Sequence, residues 1–439
     1  MAVTASRTEP PGAVGLEAAT AGSRTDQAPE AGFTSRAAAE AYIGGVCFKL
    51  GPPTLIGAEL EWLTARGECS TSRSRPDPTV LADALGPYAP QSISPDSPAI
   101  CLPGGSRVTI EPGGQIELSS APYGSASELC DRLRYDASLL RELLEFRGIR
   151  TYSVAADADR EARRVLRLPR YRAMERSFTG IGPFGVLMMC NTAATQVSVD
   201  AGADVAEVKA RWTALYAIGP ALLAAFACSP TLRGAPPGEW ASQRMRTWLR
   251  LDHPRTRPPV HEWADPISGY ARWALDVPLL CVRSEGGDWA APPEATFGDW
   301  LCGALDEEIG RRPGIADLDY HLTTMFPPVR ASGHLEVRYL DTQPGDGWTV
   351  PIHAVDALLS APEVVAEATA LAAATAGRWS EAARRGLTDP ELRSAAVDLL
   401  TLAADRAATP DAARELDTAA RRCRRGRTPL DVVESGVLP

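Results

Sequence analysis

Lysine is almost missing from this chain. Of 45 basic residues only Lys49 and Lys209 are lysines, and neither sits in a G-x-x-x-x-G-K-[ST] loop, which excludes the common phosphate-binding loop. Any nucleotide phosphate must be met by arginines, backbone amides or cations. A cysteine framework is also missing. Nine cysteines are scattered from Cys47 to Cys423 without a C-x-x-C pair or metal-finger spacing, which reads as reduced thiols in a cytoplasmic protein. The most apolar stretch, "ALYAIGPALLAAFAC" (214–228), falls short of the ~20 residues of a membrane span and contains Gly219-Pro220, so a buried helix is expected. Residues 1–34 lack the apolar run of a secretory signal and are expected to form a disordered tail. Histidine numbers five and shows no H-x-x-x-H spacing. The net charge of −10 disfavours nucleic acid and anionic membrane as partners. It suits small molecules, including those that arrive with cations.

What is present is an ordinary globular composition over 439 residues, with 45% hydrophobic and 23% charged residues, enough for one large domain with extensions. "TLIGAELEWLTA" (54–65) alternates as a strand. "SRVTIEPGGQIELSS" reads as two strands about a Gly113-Gly114 turn. "SASELCDRLRYDASLLRELLEFRG" (125–148) predicts a helix with a leucine stripe, a Ser125 cap and Gly148 as its stop. "LMMCNTAATQVSVD" (187–200) is expected to be a strand, 204–228 a helix, and "HLEVRYLD" (334–341) another strand. From about 353 to 425 the chain is Ala/Leu/Arg-rich and helical. Strands grouped around a tight turn, with helices between and after, predict an α+β fold with a mostly antiparallel sheet.

Strand side chains alternate between faces. Glu59 and Glu61 therefore share a face opposite Leu60 and Trp62, and Gln115 and Glu117 share one opposite Ile116 and Leu118. Gln196 and Ser198 oppose Val197 and Val199, while Glu336 and Arg338 oppose Leu335 and Val337. Glutamate is depleted in strands, and like charges at i, i+2 repel. A cluster of Glu59, Glu61, Glu111, Glu117 and Glu336 on one concave face becomes reasonable if hard divalent cations neutralise it, and Mg2+ takes oxygen ligands together with nucleotide phosphates.

The blocks "GAELEW", "TIEPGGQIELSSAP", "MMCNTAATQVSVD", "SQRMRTWLRLDHPRT", "WALDVPLL" and "LTTMFPPVRASGHLEVRYLD" resemble, in order, the motifs of plant-type glutamate–cysteine ligases. The helical, lysine-poor tail resembles the actinobacterial branch that feeds ergothioneine synthesis. This resemblance implies a glutamine-synthetase-like curved sheet forming a funnel over residues 35–350, and a helical C-terminal extension, 351–439, packed on it. It implies ATP and Mg2+, with L-glutamate and L-cysteine as substrates, joined through a γ-glutamyl phosphate. By motif position Glu59, Glu61, Glu111, Glu117 and Glu336 resemble the metal–nucleotide carboxylates, with Gln196 among them. Arg338 resembles the arginine that meets the transferred phosphoryl, with Glu117 and Glu336 beside it in catalysis. Arg330 is expected on nucleotide phosphate, and Arg255, with Arg244, on a substrate carboxylate. The family's "DGG" after the last strand is "DTQP" here. A ligase using another amine, or a regulator that binds glutamate or nucleotide without turnover, is the alternative.

"GIGPFG" (180–185) satisfies G-x-G-x-x-G only literally. A dinucleotide site needs a strand before it and a helix after it. With Pro183 inside and a strand expected next, a rim loop is the expectation.

Overall fold

In the computed structural model the described residues are 32–67, 74–285 and 287–431. The tail expected at 1–34 therefore lies outside them up to residue 31. Seven strands form one sheet: β1 (Ile56–Arg66), β2 (Arg107–Ile110), β3 (Ile116–Ser119), β4 (Ile149–Tyr152), β5 (Ala194–Val199), β6 (Val329–Ala331) and β7 (Leu335–Asp341). Their order is β2-β3-β1-β5-β7-β6, with β4 paired to the far end of β1. Every pairing is antiparallel.

The apolar face carries Leu60, Trp62, Ile110, Ile116, Leu118, Val197, Val337 and Tyr339, all buried in one continuous core. It is covered by the helices Ala126–Glu145 and Val205–Phe226. Tyr339 donates to the Leu215 carbonyl at 3.2 Å, joining β7 to the second of these helices. That helix is buried along most of its length, as expected of an apolar 22-mer that lies between a sheet and other helices.

The C-terminal helices, from Thr349–Leu358 to Pro410–Arg424, pack on the outer side of Val205–Phe226 and share its core. Gly219 is needed there, because a Cβ would stand 2.0 Å from the Trp379 ring. Arg422 donates to the Ala225 carbonyl at 2.7 Å. Among the described residues no helix is long and apolar enough to cross a membrane.

One element differs from expectation. Residues 184–191 form a helix, Phe184–Asn191, and the strand begins only at Ala194. "FGVLMMCN" has no polar alternation, and six of its eight residues are buried. Length and an apolar run alone do not separate a buried strand from a buried helix. "GIGPFG" accordingly spans the break between the helices Pro169–Ile181 and Phe184–Asn191, with no strand before it.

Candidate active site

The polar face of the sheet gathers most of the residues singled out above. In register, Glu61 stands opposite Glu117, Glu59 opposite Gln196, and Glu336 lies between Ser198 and Arg330. Like charges directly opposite each other destabilise a sheet, so Glu61 and Glu117 mark a place where stability has yielded to something else. From β3 to β7 the face spans three strand spacings, about 14 Å. It divides into an acidic half and a basic half.

In the acidic half each carboxylate accepts hydrogen bonds from neutral groups. Glu59 Oε2 accepts from Gln196 Nε2 at 2.7 Å, and Glu61 accepts from the Ala194 amide at 2.8 Å and from Gln196 at 3.2 Å. Glu117 Oε1 accepts from Thr109 at 2.5 Å and Ser119 at 3.2 Å. Burial pushes Glu59 well above the usual carboxylate range, and the charges of Glu117 and Glu336 add to it. Burial does the same to Glu117, helped by Glu111 and Glu61. Glu61 is raised by burial to about 7, with Arg244 and Arg338 opposing. Glu59 and Glu61 keep some exposure to the cleft, which water softens, but the direction is common to all three.

In the basic half Glu336 is fully buried. Burial raises it, but Arg330 and Arg338 outweigh that and hold it below its ordinary value. Arg330 donates to Glu336 Oε2 through Nε at 2.7 Å and Nη2 at 2.6 Å, and Arg338 Nη1 meets Oε1. Arg244 reaches in from the helix Gln243–Leu251 and donates to the Arg338 carbonyl at 2.8 Å. Arg246, two residues on, turns instead to the carbonyls of Pro236 and Pro237.

Glu111 follows β2 at the turn, where its amide donates to the Gln115 carbonyl at 2.9 Å. The turn is pinned from outside. Arg75 donates from Nε to the Gly113 carbonyl at 3.0 Å, and its Nη2 meets Asn191. A Cβ on Gly113 would lie 2.2 Å from the Cys190 carbonyl oxygen. Gln115 is not part of the acidic face. Its Nε2 donates to the carbonyls of Met189 and Thr192, tying the turn to the helix that replaced the expected strand.

Arg255 is placed differently from the expectation of a substrate clamp. It is 1% exposed and spends Nε on Asp252, Nη1 on Thr324 and Nη2 on the Pro278 carbonyl. Only Nη1 reaches the "TTMFP" segment, through the Thr324 carbonyl and hydroxyl, and the guanidinium does not join the carboxylate face.

Asp341 went unnoticed in the sequence because strict alternation from Glu336 puts it on the apolar face. Two residues of β7, Arg338 and Tyr339, stand against Gln196 alone. This bulge turns Asp341 back to the polar side. There it accepts from Ser229 at 2.7 Å, Ser242 at 2.8 Å and the Cys228 amide at 3.0 Å, with Arg244 at 3.9 Å.

Among the described residues no three His, Cys, Asp or Glu side chains converge as a ready-made metal cage. The donor set still fits Mg2+, which is usually held by one or two carboxylates, water and substrate phosphates. Among the described residues, Glu59, Glu61 and Glu117 are buried or half-buried oxygen donors without a contacting guanidinium, and the buried Gln196 Oε1 accepts from no group. A separate groove of about 880 Å³ between the helices Arg36–Cys47 and Pro266–Asp276 offers only Glu40, Lys49 and Arg272 as charged lining.

Comparison with known proteins finds relatives in sequence and in fold. Residues 55–439 match the family described as glutamate-cysteine ligase family 2. The chain is 37% identical over 382 residues to glutamate–cysteine ligase EgtA of Mycolicibacterium smegmatis, covering 85% of each chain. It is 35% identical over 415 residues to glutamate–cysteine ligase EgtA of Mycobacterium tuberculosis, covering 93% of this chain and 89% of that one. In fold it is similar to the crystal structure of glutamate–cysteine ligase (gshA) from Francisella tularensis in complex with AMP. That match has a TM-score of 0.54 and 11% identity, covering 88% of this chain and 85% of that chain.

Proposed function

Because this chain belongs to glutamate–cysteine ligase family 2, we propose that it joins the γ-carboxylate of L-glutamate to the amine of L-cysteine at the expense of ATP, in the branch that supplies ergothioneine synthesis. The observation that carries the reading is the division of one sheet face into an acidic half and a basic half.

A carboxylate does not condense with an amine at neutral pH, so glutamate must first be activated. Its γ-carboxylate oxygen attacks the γ-phosphorus of ATP, ADP leaves, and a γ-glutamyl phosphate forms. Phosphoryl transfer needs positioning and charge compensation more than covalent help from the protein. Arg338 and Arg330, already fixed by Glu336, present planar, permanently charged guanidiniums for phosphate oxygens. Arg244, stationed beside Arg338, offers a further cation for the phosphate or for a glutamate carboxylate. Glu59, Glu61 and Glu117, with Gln196 and Glu111 beside them, are the groups that would hold magnesium. Bound Mg2+ would neutralise the β- and γ-phosphate oxygens. The cysteine amine then attacks the γ-carbonyl carbon, phosphate departs, and the amine gives up its proton.

The test is phosphate release by the purified protein with ATP, Mg2+ and glutamate, with and without cysteine or other amines, alongside direct detection of γ-glutamylcysteine. Release that rises with cysteine and matches dipeptide formation supports the reading. Preference for another amine assigns a different ligase. Absence of release in every combination overturns catalysis itself.

A further inference from the structure

We infer that Trp248 is a positioning residue for the arginine pair, a platform that holds Arg338 and Arg244 side by side for the phosphoryl and carboxylate oxygens. The inference rests on the ligase reading above and extends it to a residue outside the charged set.

Two guanidiniums that share one small space repel each other. Arg338 comes from β7 and Arg244 from the helix Gln243–Leu251. The Arg244 bond to the Arg338 carbonyl joins a guanidinium to backbone and leaves the Arg338 side chain to be placed. One ring meets both guanidiniums. The Arg338 guanidinium carbon lies 5.3 Å from the Trp248 ring centroid, and that of Arg244 lies 5.8 Å from it. Both distances fall within cation–π range, and tryptophan is the strongest partner for a guanidinium. Trp248 and Arg244 are four residues apart on one helix and therefore lie on the same face. The ring is itself packed against Phe326 in a T-shaped pair, with centroids 5.6 Å apart and planes at 85°. Phe326 belongs to the segment that Arg255 anchors.

Each arginine keeps one counter-charge of its own, Glu336 for Arg338 and Asp341 at 3.9 Å for Arg244. These acids set the distance of each cation from its strand or helix. They do not set the relation of one cation to the other, and the shared indole does. The Nε–H of Arg338 is buried and finds no acceptor among the described residues. An arginine with a spare buried donor, held beside an aromatic ring, is prepared for an anionic oxygen that none of these residues supplies. The indole N–H of Trp248 is also buried without an acceptor among the described residues, which leaves a second way for this residue to act and one the experiment separates.

The experiment compares Trp248→Phe and Trp248→Leu with the wild type. Steady-state rates are measured for ATP, glutamate and cysteine, with thermal melting of each protein as the record of folding. A platform needs a ring face and not the N–H. Trp248→Phe therefore keeps turnover within about threefold, while Trp248→Leu loses about 10- to 100-fold in kcat, with KM for cysteine little changed. If Phe falls as far as Leu at equal melting temperature, the indole N–H is the acting group and the platform is overturned. If Leu turns over like wild type, the ring has no role in the reaction. If turnover in both variants falls only in proportion to lost folded protein, the residue is structural, and the inference also fails. A wild-type enzyme that releases no phosphate with any amine would refute the ligase reading instead, so the two failures are distinct.

Discussion

Replacing Arg338 with alanine tests the basic half of the site most directly. In the folded protein the Arg338 side chain is 11% exposed and that of Glu336 is 1% exposed. Removing one member of a buried ion pair ordinarily costs about 3–5 kcal/mol, because the survivor is left charged and alone. Here the survivor is not alone. Arg330 still donates to Glu336 through Nε at 2.7 Å and Nη2 at 2.6 Å. The stability cost should therefore fall below that range, at about 1–3 kcal/mol, and the protein should remain folded at 25 °C. The chemical cost is separate. Loss of one preorganised donor to a developing anion costs about 3–4 kcal/mol, a rate factor of roughly 10²–10³. Arg338→Lys should recover little of it, because an ammonium cannot reproduce two parallel N–H donors in one rigid plane. The assay is γ-glutamylcysteine formation at saturating substrates, with circular dichroism and melting to show that the variant is folded. A folded Arg338→Ala protein with turnover within fivefold of wild type would refute the assignment.

Four further outcomes follow from the same geometry. Glu117→Gln should leave the metal-free protein as stable as wild type, within about 1 kcal/mol, or slightly more stable, because burial already favours the neutral form. The same variant should lose about 10²-fold in turnover, so melting and kinetics must move independently. The metal-free protein should become less stable as pH rises from 5 to 8. Glu61 titrates near 7 when folded against an ordinary value of 4.5, so between those values the folded state holds a proton that the unfolded state has lost. Stability then falls with pH by about 1–2 kcal/mol after allowance for solvent at the cleft. A melting temperature that is flat or rising over that range, measured in chelator, contradicts this. Arg255→Ala should lower melting by the equivalent of about 3–5 kcal/mol, since Asp252 is left buried and unpaired. KM for glutamate in the surviving fraction should hardly move, and a large KM increase at unchanged stability would restore the substrate-clamp role. Gly113→Ala should destabilise by about 1–3 kcal/mol, because the Cys190 carbonyl oxygen stands 2.2 Å from the new Cβ. A variant that melts like wild type would mean that the turn has room to shift.

Much of this protein is set by local pattern. Period-two alternation placed Glu59, Glu61, Glu117, Gln196, Glu336 and Arg338 on one face without any knowledge of strand order, because a pleated strand leaves its side chains no other choice. The same rule failed at Asp341. A single extra residue opposite Gln196 reverses the alternation, and nothing in "EVRYLD" announces it. The apolar start of 187–200 reads as strand, and packing against the helices Pro169–Ile181 and Gln243–Leu251 instead accompanies a helix over Phe184–Asn191. Arg255 and Arg244 look alike in sequence, each one of several arginines in the same block. Tertiary structure turned one toward the carbonyls of Thr324 and Pro278 and the other toward the carbonyl of Arg338. Which face a strand side chain takes is a matter of backbone geometry within a few residues, so sequence determines it. Which distant cation a carboxylate meets, and which ring holds two cations together, depends on contacts between segments a hundred residues apart, and only the closed fold fixes those.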